Sequence, residues 1–270
     1  MFTKLLAYEI RSRYRTDARS FGAFIAVIAV AAGIVAAGLP GISGSTAVLA
    51  YALCALTPVA CAIAAMADYW KTLYGQRGYF TMSLPVSGKV IFWAKNTRIM
   101  IECLLALALA VGGIIAVASA AAWSDGISLA EYTAGPRSQL AIFSPSVQVI
   151  LIMSQLIACA SMIVQVCAVM TLAAEGRFNH MGFGAVAIGL VLLYIVNQIL
   201  SGVGTFFLPF SITPDGHFST ESMWSSYRAA LETDAEPTVW GMGACIVIPI
   251  FALLLAAWAS RSIEKRTSLR

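Results

Sequence analysis

Long stretches of apolar residues alternate with short polar segments along this chain. The stretches fall at about 21–39, 47–67, 99–122, 147–172, 183–209 and 239–260. Each runs for roughly 19 to 25 positions, the length a helix needs to cross a hydrocarbon layer about 30 Å thick. A soluble core has no use for so much continuous apolar surface. The pattern therefore predicts an all-α, polytopic membrane protein with six transmembrane helices.

Between the spans the charges are unevenly shared. Of 17 Lys and Arg, 15 fall in residues 1–20, in 68–98, in the short segment that holds Arg177, and in the tail 261–270. The segments 40–46, 123–146 and 210–238 hold only Arg137 and Arg228, with Asp125, Glu131, Asp215, Glu221, Glu232, Asp234 and Glu236. Lys and Arg mark cytoplasmic loops, so both termini are expected in the cytoplasm of a cell (plasma) membrane. A signal peptide is the weaker reading of the first span: a leader holding Glu9 and Asp17 is long for one, and five remaining spans would break the charge alternation.

Composition narrows the function classes. Charged residues make up 11% of the chain and apolar ones 60%, and the net +4 is not gathered into a basic stripe, so nucleic acid is not an expected partner. All six cysteines lie in apolar stretches, where a thiol behaves as a small hydrophobe. Neither a disulfide framework nor a metal site is expected.

Two polar segments carry more than linkage. Residues 1–20 read as an amphipathic helix on the membrane surface, with Phe2, Leu5, Leu6, Ile10 and Tyr14 on one side and Lys4, Arg11 and Arg15 on another. It serves either as a lipid anchor or as part of a docking surface. The cytoplasmic segment 68–95 is too polar to span and too aromatic for a plain linker. Tyr69, Trp70, Tyr74, Tyr79 and Phe80 are the anchors that interfaces favour, and equally those of an aromatic belt at a membrane surface. Gly75, Gly78 and Pro85 divide the segment into short pieces.

Within that segment, Tyr74-Gly75-x-x-Gly78-Tyr79 followed by Ser83-Leu84-Pro85-Val86-Ser87, placed between the second and third spans, resembles the permease subunits of the type-2 ABC transporter family. Gln76 and Arg77 depart from it, since relatives often carry an acid before the second glycine. The resemblance implies a coupling helix in this loop, seated on an ATPase subunit through Tyr69, Trp70, Tyr74, Gly75, Gly78, Tyr79, Phe80, Leu84 and Pro85. It further implies two ATPase domains and a second permease chain, identical or related, exporting a hydrophobic or amphipathic substrate such as a peptide, drug or lipid. This chain has no Gly-x-x-x-x-Gly-Lys-Ser/Thr loop to cradle phosphate. ATP and magnesium are thus expected on the partner, with no cofactor on this chain.

Polar residues inside spans are the remaining candidates. Glu102 is the one acid within a span, four residues after Arg98, and reads either as a near-surface pair with Arg98 reaching the interface or as a group facing a path. Gln148, Ser154, Gln155, Ser161 and Gln165 recur along the fourth span, with Asn197 on the fifth. They either line a translocation path or bond neighbouring helices. Ala29, Gly33 and Ala37 would allow close helix approach; in the resembled family the first and fifth spans often meet near the dimer axis, which points to Gly33 and Gly189 as packing positions. An intramembrane enzyme is the rival class, but no His-Glu-x-x-His occurs and neither His180 nor His217 lies in a span. A secondary transporter would need charged coupling groups near midplane, where only Glu102 offers itself, and a non-transporting scaffold is the remaining alternative.

Overall fold

A computed structural model describes residues 1–75, 78–83, 85–141, 143–213, 215, 217–233 and 236–265. The architecture is all-α. Six helices are long and apolar enough to span a membrane: α1 (Phe2–Ala36), α2 (Ser43–Leu73), α4 (Gly88–Ser124), α7 (Pro145–Ala173), α8 (Phe183–Phe207) and α10 (Ala244–Lys265). The chain is accordingly a multi-pass membrane protein. Short helices punctuate the connections: α3 (Gly78–Met82), α5 (Leu129–Tyr132), α6 (Ala134–Leu140) and α9 (Met223–Thr233), with a 3-10 helix over Gly176–Met181.

The first helix differs from expectation. Residues 1–20 do not form a separate element; α1 runs unbroken for 35 residues. No proline interrupts it, and Gly22 alone does not stop a helix with good helix formers around it. At 1.5 Å per residue α1 is about 52 Å long, well beyond an apolar layer of about 30 Å. Its buried residues are Leu5, Glu9, Ile28 and Val35, and Ile10 and Tyr14 point away from the fold.

The chain divides into two compact units, Met1–Tyr69 with Trp93–Gln139, and Trp70–Phe92 with Leu140–Arg270. In the first, Ile28 of α1, Ala50 and Cys54 of α2, and Ala110 and Val117 of α4 form a buried cluster, flanked by Phe24, Ala31, Ala47 and Tyr51. Small residues on α4 let α2 come close. A Cβ on Gly113 would lie 2.7 Å from the Cys54 Sγ, so a larger residue there would have to displace that buried side chain. The small-residue stripe expected on α1 is different: nothing lies within 4 Å of a Cβ placed on Gly33.

In the second unit α7 packs against both α8 and α10, and α8 packs against α10. Its lower half is buried almost all round, from Ser161 to Ala173, as a central helix must be. Gly189 faces inward here, with a Cβ at that position 2.7 Å from Val169 Cγ1. It packs α8 within the chain. Two-residue strands β1 (Ser211–Ile212), β2 (Phe218–Ser219) and β3 (Trp240–Gly241), in the order β2-β1-β3 and antiparallel, gather the last loop beside α9. The periodic pattern did not anticipate these strands, which are too short to show alternation.

Candidate functional site

Three helices of the first unit bring charges together at the end that holds the N-terminus. On α1, Glu9, Arg13 and Asp17 follow one another at four-residue spacing and so share a face. On α4, Lys95, Arg98 and Glu102 do the same at three and four. Asp68 of α2 completes the group. Arg98 is the hub and is fully buried, at 0% exposure. Its Nη1 donates to Glu102 Oε1 at 2.7 Å, its Nη2 to Asp68 Oδ2 at 3.1 Å, and its Nε lies 3.9 Å from Glu9 Oε2.

Further ion pairs extend the hub in both directions. Lys95 Nζ donates to Glu9 Oε1 at 2.9 Å, and both are buried. Asp68 Oδ1 accepts from Arg13 Nη1 at 3.1 Å, and Arg13 Nη2 stands 3.5 Å from Asp17 Oδ1. Charges taken out of water this far are tolerable only as mutual partners. The network thereby locks the ends of α1, α2 and α4 in one arrangement.

The expectation that Arg98 reaches the interface is corrected by this geometry. Carboxylates from three helices surround its guanidinium, whose fork of donors matches them better than water at the end of a long exposed side chain would. Glu102 is buried with it. Sequence reasoning singled out this pair but missed Glu9, Arg13, Asp17, Asp68 and Lys95 as members. The four-residue spacing along residues 9–17 was the available signal, hidden by reading the leader as a surface helix.

A groove of about 450 Å³ opens beside the network among α1, α2 and α4. Arg13, Asp17, Ser20 and Glu102 line one end, and Phe24, Val27, Leu53 and Thr57 the other. Cys61 also faces it, its thiol 3.7 Å from the Glu102 carbonyl oxygen. Among the described residues no cluster of three or more His, Cys, Asp or Glu is arranged to hold a metal ion. The network can bind charge and hold helices.

The aromatic segment lies partly elsewhere than expected. Tyr69 is wholly buried, which removes it from any contact surface. Trp70 lies against Tyr74 with the rings tilted by 43° and 5.2 Å between centroids, and meets the edge of Phe183 at 5.9 Å, so both aromatics pack within the second unit. Tyr79 on α3 is 59% exposed and Pro85 is also exposed, while Gly78 is buried. Gly75 follows the end of α2, where a Cβ would lie 2.6 Å from the Lys71 carbonyl oxygen. Leu84, Gln76, Arg77 and the Phe80 side chain lie outside the described residues. The Thr81 hydroxyl donates to the Thr72 carbonyl at 3.1 Å and holds α3 to the end of α2.

At the start of α4, the Gly88 N–H donates to Glu264 Oε1 of α10 at 2.9 Å. A Cβ on Gly88 would lie 2.9 Å from both Glu264 Cγ and the Ser260 carbonyl oxygen, so glycine permits this approach. Nearby, buried Glu175 accepts from the Ser262 hydroxyl at 2.9 Å and pairs with Arg177 Nε at 2.8 Å.

The polar residues of the fourth and fifth spans resolve into distinct roles. Gln165, fully buried, accepts from Asn197 Nδ2 at 2.6 Å and donates to the Ile248 carbonyl at 3.2 Å. It ties α7 to α8 and to α10, which is helix bonding. Ser161 and Ser154 donate to carbonyls of their own helix, at Ile157 and Leu151. Gln148 donates to the carbonyls of Leu140 and Phe143, closing the turn before α7. Gln155 is exposed. No family model, curated protein or solved structure matches the chain.

Proposed function

We propose that this chain is the membrane-spanning permease subunit of an ATP-driven exporter of the ABC type, with both termini in the cytoplasm of a plasma membrane. ATP and magnesium are bound by separate ATPase subunits, and a second permease chain, identical or related, completes the assembly. The chain performs no covalent chemistry.

The observation that carries this reading is the short helix α3, set between the second and third long helices with Tyr79 exposed on it. An energy change in another subunit reaches the spans only through a rigid element in contact with it. Thr81 fixes α3 to the end of α2, and the bond from Gly88 to Glu264 fixes the end of the loop to α10. Displacement of α3 is thereby passed to α10, and from α10 to α7 and α8 through Gln165. The substrate is hydrophobic or amphipathic.

Tyr79→Cys provides the test. With a cysteine in the cleft of the ATPase subunit, oxidation should yield a crosslinked pair and stop transport, while Tyr79→Ala should leave ATP hydrolysis running without transport. No crosslink to any ATPase, together with unchanged transport in Tyr79→Ala, would remove α3 from the mechanism. The buried network around Arg98 favours a second reading, an ATP-independent transporter coupled to ion or proton flow. Transport that persists in vesicles without nucleotide would select it.

A further inference from the structure

Along α8, Ile199, Val203 and Phe207 recur at four-residue spacing and are exposed, one apolar stripe on a membrane-spanning helix. The stripe does not stop where α8 ends. The Trp224 ring lies 5.6 Å from that of Phe207, and the Tyr227 ring lies 6.3 Å from that of Trp224. Trp224, Tyr227 and Leu231 follow one another at three- and four-residue spacing on α9 and so share a face, and all three are exposed. These six side chains make one continuous apolar surface that passes from the span onto α9. The other sides of α9 hold it in that attitude. Ser226 and Ala230 are buried beneath it, and the Ser226 hydroxyl accepts from the Thr238 N–H at 2.9 Å. Ser225 and Glu232, on a third side, are exposed and polar.

We infer that α9 is a membrane-interface helix, with Trp224, Tyr227 and Leu231 set among the lipid headgroups and upper acyl chains at the Phe207 end of α8. Trp and Tyr favour that layer because their rings are apolar while the N–H or O–H needs a polar partner. An amphipathic helix lies in it with its apolar face toward the acyl chains. Continuity with α8 selects lipid over other occupants. Phe207 is the last residue of a span and closes its exposed stripe, so a ring packed against it stands at the edge of the hydrocarbon. A soluble partner would have to reach below the headgroups to cover Trp224, and a face turned to water would leave a large apolar patch unmatched. This placement depends only on the multi-pass character of the chain. Its test contains neither ATP nor an ATPase, so its failure is separable from failure of the exporter proposal.

The experiment reads tryptophan emission of the full chain in nanodiscs of phosphatidylcholine that is plain, brominated close to the headgroup, or brominated near the chain ends. The chain has six tryptophans, so the Trp224 signal is the difference between the parent and Trp224→Phe. That signal should show its largest loss with bromine close to the headgroup, a smaller loss with bromine near the chain ends, and the smallest with iodide in the water. Because Trp224→Phe also alters the contact with Phe207, two reporters are added to that variant in turn. Leu231→Trp, on the apolar face, should be quenched in the same order, whereas Glu232→Trp, on the polar side, should be quenched chiefly by iodide. Stronger quenching of Trp224 or of Leu231→Trp by iodide or by the deep bromine, quenching by none of them, as a protein partner on this face would give, or equal lipid quenching of Leu231→Trp and Glu232→Trp would overturn the inference.

Discussion

Arg98 shows how much a single side chain can carry in this protein. Replacing it with methionine leaves the buried carboxylate of Glu102 and the half-buried one of Asp68 each with one strong partner fewer, and removes the nearby guanidinium from Glu9. Breaking a buried ion network in this way costs about 3–5 kcal/mol. The expected outcome is a clearly lowered midpoint of thermal unfolding in detergent. Arg98→Lys should recover only part of the loss, since an ammonium cannot match carboxylates from three helices as a guanidinium fork does. Equal stability of Arg98→Met and the parent would show that the network holds nothing together.

Gln165 makes the opposite case. Its amide bonds to Asn197 and to the Ile248 carbonyl, so Gln165→Leu should cost about 1 kcal/mol of stability, as interhelical hydrogen bonds in membranes do, and leave substrate selectivity unchanged. Altered selectivity at unchanged stability would return Gln165 to a translocation path. The sequence pattern brought Gln165 and Asn197 to notice because an amide inside an apolar span is rare. Choosing between path and packing needed the partner, which lies 32 residues away for Asn197 and 83 for Ile248. Glu9 and Arg13 were harder to see, because the same charges on a surface helix would face water.

At the scale of elements, apolar length alone was enough to find the six long helices, and that is the most legible part of the fold. Their ends were less so. Residues 2–20 continue α1, and α4 begins at Gly88, about eleven residues before its apolar stretch, because polar helix beyond the membrane carries no hydrophobic signal. Close approach within the chain was only partly legible: Gly189 packs on Val169, but glycine and alanine are too common in this chain for spacing to single out every contact. Gly113, which the pattern did not select, is where α2 and α4 meet. Gly113→Val should therefore destabilise the first unit and lower the yield of folded protein, while Gly33→Val, with open space around it, should not. Comparable yields and melting curves for the two variants would contradict this packing.

The aromatic loop sits between element and whole molecule. Five aromatic residues suggested one docking surface, yet Tyr69 is buried and the half-buried Trp70 and Tyr74 pack against each other. An aromatic side chain serves equally well as a core residue and as a partner contact, and composition does not separate the two. Exposure does, and it leaves Tyr79 as the side chain on α3 to which the coupling proposal is attached. Gly88→Val should break the contact between the loop and α10. On the exporter reading it lowers transport per ATP hydrolysed more than it lowers ATP hydrolysis, and an unchanged ratio would detach the loop from α10.

At the scale of the whole molecule, the chain supplies spans, a network of buried charge and a loop with Tyr79 exposed on it, and the proposal assigns ATP binding and cleavage to another subunit. The account therefore rests on a partner. The most direct measurement is purification of the tagged full-length chain in mild detergent, with the copurifying proteins identified and ATP hydrolysis assayed on the same material. The account predicts a stoichiometric ATPase whose association or coupled activity depends on Tyr79. Recovery of the chain without any ATPase, from membranes that retain transport, would contradict it.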